Sequence, residues 1–158
     1  MTTIPSPLDD TARDEVAARL QPVLVDLVDL SLAAKQLHWT VVGHNFTALH
    51  EQLDAVTDAY RTWSDEIAER MTAVGVAPDG RSQRVASDTA APAVAEGWVG
   101  ERAVVENMVS RLGGAIARTR TQLDGIGKHD PVSEDVLLGI LGGLEQQHWM
   151  FTAQLVKH

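Results

Sequence analysis

The sequence has no cysteine, which removes disulfides, thiolate metal sites, iron–sulfur ligation and cysteine nucleophiles from consideration. A chain of this kind suits a reducing compartment, and a cytoplasmic location is expected. It also lacks any apolar run near the roughly 20 residues that a bilayer crossing requires. Met1 to Asp10 carries neither the basic nor the apolar segment of a signal peptide, so no membrane partner is expected. Basic residues are few: 13 Lys and Arg stand against 22 Asp and Glu, a formal net charge of −9. Such a surface repels phosphate and favours cations. Strand signals are missing too, since no stretch alternates apolar and polar residues with β-branched or aromatic enrichment, and there is no internal repeat. What is present, 158 residues with 44% hydrophobic and 22% charged, predicts a single domain over 1–158 with a core of its own.

Helical periodicity fills most of the chain. Val16, Leu20, Val23, Leu24, Leu27 and Ala34 recur at threes and fours after an acid-rich start with Asp9 and Asp10, predicting a first helix over 8–37. Pro22 lies inside it and predicts a kink, or a start as late as Pro22 itself. Val41-Val42-Gly43 breaks the pattern. Asn45 can cap a second helix over 44–74, whose apolar positions run from Phe46 and Leu49 through Tyr60 and Trp63 to Met71 and Val74, with Gly75 after it. Residues 75–100 hold Pro78, Pro92 and scattered Gly and Ser, and read as a crossover with room for one short helix. A third helix over 101–126 carries Val105, Met108, Leu112, Ile116 and Ile126; Asp130-Pro131 opens a fourth over 131–156 with Leu137, Ile140, Leu144 and Phe151. A short first loop, a long crossover and a short last loop predict an all-α, ferritin-like four-helix bundle. Gly113-Gly114 and Gly142-Gly143 weaken their helices by about 1 kcal/mol per residue against alanine, which suits close helix approach.

The chemistry is concentrated on the second helix. At about 100° per residue, with His50 at zero, Asp54 falls near 40°, Asp65 near 60° and Glu69 near 100°, so the four share a face. The apolar positions centre about 140° away from it, so these side chains do not look into their own bundle. Asp54 and Asp65 are eleven residues apart, roughly 16 Å along a helix, too far for one metal ion. An identical helix lying antiparallel across a two-fold axis would bring the His50/Asp54 end of one chain to the Asp65/Glu69 end of the other. His38 would complete two equivalent sites. Two imidazoles and three carboxylates form a mixed nitrogen and oxygen set of the kind iron accepts. The same wheel also fits a solvated acidic face. Glu145 and His148 form one Glu-x-x-His unit, but Thr47-Ala48-Leu49-His50 supplies no second glutamate, so an intrachain di-iron centre looks incomplete.

Lys35-Gln36-Leu37-His38-Trp39, Val42-Gly43-His44-Asn45-Phe46, Leu49-His50-Glu51 with Asp54, and Asp65-Glu66-Ile67-Ala68-Glu69-Arg70 resemble the signature of the Dps miniferritins, and the spacing from His38 to Glu69 agrees with it throughout. The resemblance implies a homo-oligomer, a dodecameric shell that oxidises Fe(II) at iron-binding ferroxidase centres on its two-fold interfaces and stores ferric mineral, with hydrogen peroxide as the favoured oxidant. It implies that His38, His50 and Asp54 come from one subunit and Asp65 and Glu69 from its partner. Trp39, beside the first ligand, would either donate an electron or pack. Asp130, Glu134 and Asp135 would line an iron-admitting pore, against the alternative that they only complement a helix dipole. Members that bind DNA commonly use basic terminal extensions. Here no lysine precedes Lys35, only Arg13 and Arg19 lie near the start, and the chain closes on Lys157-His158. Direct DNA binding is therefore expected to be weak, although a nucleoid-associated, DNA-protecting role is the alternative reading.

Overall fold

The structure is a computed structural model in which residues 4–156 are described; the closing Lys157-His158 lies outside them. Asp9 opens helix α1 (Asp10–Thr40) by accepting a hydrogen bond from the Ala12 N–H at 2.9 Å, which satisfies one of the free donors of the first turn. The helix then continues unbroken through Pro22, so the expectation of a start at Pro22 is overturned. Ala18, whose carbonyl loses its partner to the proline, is exposed, and water can replace the missing donor. The helix also outlasts its apolar repeat and carries His38 and Trp39 within its last turn.

At Val41 the backbone turns extended. Strand β1 (Val41–Val42) pairs in parallel with β2 (Val99–Gly100), setting Val41 beside Val99 and Val42 beside Gly100. This two-residue bridge ties the turn between the first two helices to the far end of the crossover. Gly43 completes it at φ +152°, and the Asn45 N–H donates to the Glu101 carboxylate at 2.8 Å. A Cβ on Gly43 would sit 2.7 Å from Glu101 Cδ. Gly43→Ala is expected to lower stability by about 1–3 kcal/mol through backbone strain and displacement of that carboxylate; an unchanged unfolding midpoint in urea would show the turn to be tolerant.

Helix α2 (Phe46–Ala73) returns along α1; the crossover holds one short helix, α3 (Ser82–Asp88); α4 (Glu101–Leu123) and α5 (Pro131–Ala153) complete the bundle. Leu20, Leu27, Leu53, Tyr60, Ile67, Leu112 and Phe151 are fully buried between them. The predicted third helix ends early, since Gly125 turns left-handed at φ +80° and a 3-10 turn (Ile126–Lys128) carries Ile126 into the core. Ile126 keeps the apolar repeat without belonging to the helix. Of the paired glycines, Gly143 shows the close approach most directly: the Trp63 indole occupies the space its Cβ would take.

Arginines fasten the outer layer. Buried Arg111 donates to Asp29 at 2.7 Å, to Asn107 at 2.8 Å and to the Pro92 carbonyl, holding the crossover against α1 and α4. Arg118 grips the buried Asp26 through two bonds of 2.7 and 2.8 Å. Burial pushes the Asp26 carboxyl up, against the pull of that guanidinium.

Candidate metal centre

His38, in the last turn of α1, and His50, in the second turn of α2, face each other as stacked rings with centroids 3.7 Å apart and planes inclined at 21°. Their hydrogen bonds are reciprocal. His38 Nδ1 bonds the His50 carbonyl at 2.9 Å, and His50 Nδ1 bonds the His38 carbonyl at 2.9 Å. A carbonyl only accepts, so each Nδ1 carries the proton and each Nε2 of the neutral ring carries a free lone pair. This is how imidazole ligands are fixed for a metal: the second nitrogen is held by a backbone acceptor, which sets ring orientation and tautomer. The two antiparallel helices supply the bonds from their own backbones.

Asp54, one turn beyond His50, completes this end of the face. Lys35 on α1 forms an ion pair with it. That hydrogen-bonded ammonium holds the Asp54 carboxyl below the usual carboxylate range, and partial desolvation opposes the effect. Asp65 and Glu69 lie three and four turns further along α2, both exposed, and no contact joins them to the histidine pair. The chain thus stacks His38 on His50, sets Asp54 one turn further along α2 against Lys35, and leaves Asp65 and Glu69 apart. Among the described residues no group of three or more His, Asp or Glu is arranged to hold a metal within one chain.

Trp39 is 62% exposed beside this site. With Leu32, Lys35, Gln36 and Arg61 it lines a cleft of about 430 Å³ between α1 and the crossover. Tyr60 and Trp63 sit on the bundle face of α2, rings 5.9 Å apart. The Tyr60 hydroxyl is buried without a partner, and burial pushes its pKa well up.

The remaining candidates lie at the start and in the body of α5, and one of them departs from expectation. Asp130 does not offer an open carboxylate to a passing cation. It is 4% exposed, caps α5 by accepting from the Ser133 N–H at 2.9 Å, and holds Arg70 of α2 at 2.6 Å. Its aspartate tasks are capping and ion pairing, since both hold it in the interior. Glu134 is half-buried over Gly127, and Asp135 is exposed. Glu145 is engaged by Arg120 of α4, and His148 lies against Gly113, so the Glu-x-x-His unit is spread between two contacts rather than gathered around a metal. The signal that sequence reading missed is Lys35, whose place one helical turn before His38 matches the place of Asp54 one turn after His50.

A bundle of four long helices with a crossover between the second and third, bearing an imidazole pair and a carboxylate ladder on one outer face, defines a ferritin-like protein. The ferritin-like domain family matches residues 17–158. The chain is 34% identical over 157 residues to the DNA protection during starvation protein of Mycolicibacterium smegmatis, covering 97% of this chain and 83% of that one. It is 36% identical over 140 residues to the fine tangled pili major subunit of Haemophilus ducreyi, covering 89% and 74% of the two chains. Its fold superposes on Dps from Microbacterium arborescens in the high iron form with a TM-score of 0.92 at 30% identity, covering 98% and 100%. The chain belongs to the Dps family of ferritin-like proteins.

Proposed function

We propose that the protein is a ferroxidase and iron store: a shell of twelve copies that oxidises Fe(II) with hydrogen peroxide at centres shared across two-fold interfaces and holds the ferric product inside. The observation that carries the reading is the reciprocal Nδ1–carbonyl bonding of His38 and His50, which leaves both Nε2 lone pairs free for an incoming ion. Asp54 supplies the first carboxylate, and Asp65 and Glu69 of the partner subunit supply the rest. Imidazoles hold ferrous ion, and the oxygen donors favour the ferric product. Two Fe(II) ions each lose one electron; peroxide takes both electrons and two protons, its O–O bond breaks, and two waters form. No hydroxyl radical is released in this two-electron step. Trp39 stands close enough in sequence to the first ligand to serve as an electron donor or as interface packing, and Glu134 and Asp135 are the carboxylates left to guide cations inward.

Lys35 neutralises Asp54 until iron displaces it. Lys35→Met is therefore expected to tighten Fe(II) binding by about two- to fivefold, the scale of a part-exposed ion pair. Anaerobic Fe(II) titration checks this, and an unchanged affinity would mean that Lys35 does not compete.

Protection of DNA, the property in the name of the relatives, follows for this chain from consuming Fe(II) and peroxide together rather than from contact. The charge of −9 per chain disfavours phosphate. The whole reading is tested by adding excess Fe(II) and then peroxide to metal-stripped protein and following protein and iron through a sizing column. Iron co-eluting with a twelve-subunit shell supports it; ferric precipitate beside a small protein species would overturn it.

A further inference from the structure

We propose that Asp58 and Arg61 form reciprocal ion pairs across the two-fold axis, Asp58 with the partner's Arg61 and Arg61 with the partner's Asp58, and that these set the register in which the two half-sites meet. The inference rests on the shared-site reading above. In the antiparallel register that opposes Asp54 to the partner's Asp65, His50 falls opposite the partner's Glu69. Followed inward to the axis, the same register opposes Asp58 to the partner's Arg61. On the helical wheel Asp58 lies near 80° and Arg61 near 20°, on either side of the ligand face centred near 50°. Both residues are exposed. The ion pairs that α2 makes in its own chain run from Asp54 to Lys35 and from Arg70 to Asp130, leaving the central turn to a partner. Arg61 also lines the cleft that holds Lys35 and Trp39, which puts it on the same outer surface as the histidine end.

Charge makes this register selective. A slip of three residues one way sets Asp58 against the partner's Asp58; a slip of three the other way sets Arg61 against the partner's Arg61. Only the metal-forming register, among these, opposes unlike charges, and like-charge opposition at an interface is strongly unfavourable. The second copy is thereby both the source of the missing carboxylates and the complement of the central turn.

The test is a charge-reversal cycle on the full chain. Arg61→Asp and Asp58→Arg each oppose like charges twice per dimer, and each is expected to raise the dissociated fraction about tenfold or more in sedimentation at low salt, with peroxide-dependent iron oxidation falling alongside. The double variant Asp58→Arg with Arg61→Asp restores unlike charges and is expected to recover both assembly and oxidation, which also shows that the reversals fold. Reversals that assemble and oxidise like the parent, or a double variant no better than the singles, would overturn the pairing. A parallel variant, Asp65→Ala with Glu69→Ala, separates the two ideas: if it loses oxidation while the reversals change nothing, the pairing alone is wrong; if it keeps oxidation, the shared site is wrong.

Discussion

Asp65→Ala with Glu69→Ala is expected to slow Fe(II) oxidation by more than about 100-fold, since loss of even an outer partner of a metal ligand lowers affinity or activity by roughly 10–100-fold. Both side chains are exposed in the single chain, and neither supports the core, so the helical content and unfolding midpoint of the protomer should change little. Loss of activity without loss of fold is what separates a ligand from a packing residue. Glu145→Ala serves as the companion. Its carboxylate is held by Arg120 on the surface between α4 and α5, and oxidation should continue at the parent rate. Stopped-flow absorbance of ferric product measures both. A slow Glu145→Ala with a fast Asp65/Glu69 variant would move the chemistry into the bundle.

Asp130→Ala is expected to lower stability by about 3 kcal/mol. Loss of a helix cap accounts for roughly 0.5–2 kcal/mol. Breaking a buried ion pair costs about 3–5 kcal/mol, reduced here because Arg70 remains 18% exposed and keeps its 3.0 Å bond to Ser133. For a domain of this length the melting midpoint should fall by roughly 6–12 °C. The difference has a pH dependence of known sign. Burial alone would raise the Asp130 pKa, but the Ser133 hydroxyl and the Arg70 guanidinium together hold it below the ordinary carboxylate range. A carboxyl whose folded pKa is depressed contributes stability above its unfolded value, near 3.9, and loses it as pH falls through the folded one. The charge-linked part of the gap between parent and variant should thus be full at neutral pH and shrink as pH falls below about 4. Calorimetric scans at several pH values check this; a gap that persists in acid would mean that the cap, not the charge, dominates.

The bundle was legible because its four helices are amphipathic and bury their repeats as written: Leu49, Leu53, Tyr60 and Ile67 face inward on α2, and Leu137, Ile140, Leu144 and Phe151 on α5. The polar outer face of α2 was legible for the same reason in reverse, as the wheel places His50, Asp54, Asp65 and Glu69 away from that stripe and all four stay exposed or half-buried. What the pattern did not carry were features decided by tertiary contact. A parallel bridge of two residues has no room to alternate, so Val41 and Val99 showed nothing of their pairing. Ile126 kept the helical repeat although Gly125 had ended the helix. Asp130 looked like one of three acidic residues at a helix start, and only Arg70, sixty residues earlier, makes it an interior group. Lys35 was one surface lysine until α2 placed Asp54 beside it. The imidazole tautomers were equally hidden, because they depend on backbone carbonyls of the opposite helix.

A centre built from two chains predicts that two inactive variants complement one another, and co-assembly tests this most directly. One variant carries His50→Ala and Asp54→Ala; the other carries Asp65→Ala and Glu69→Ala. Each alone has no complete centre. In a mixed dimer one interface site collects both sets of substitutions and the other collects none, so co-assembled shells with random pairing should regain about one quarter of the parent's fast oxidation sites. Recovery of activity on co-assembly is the predicted result. Mixed shells as inactive as either variant alone, with assembly intact, would contradict the shared centre.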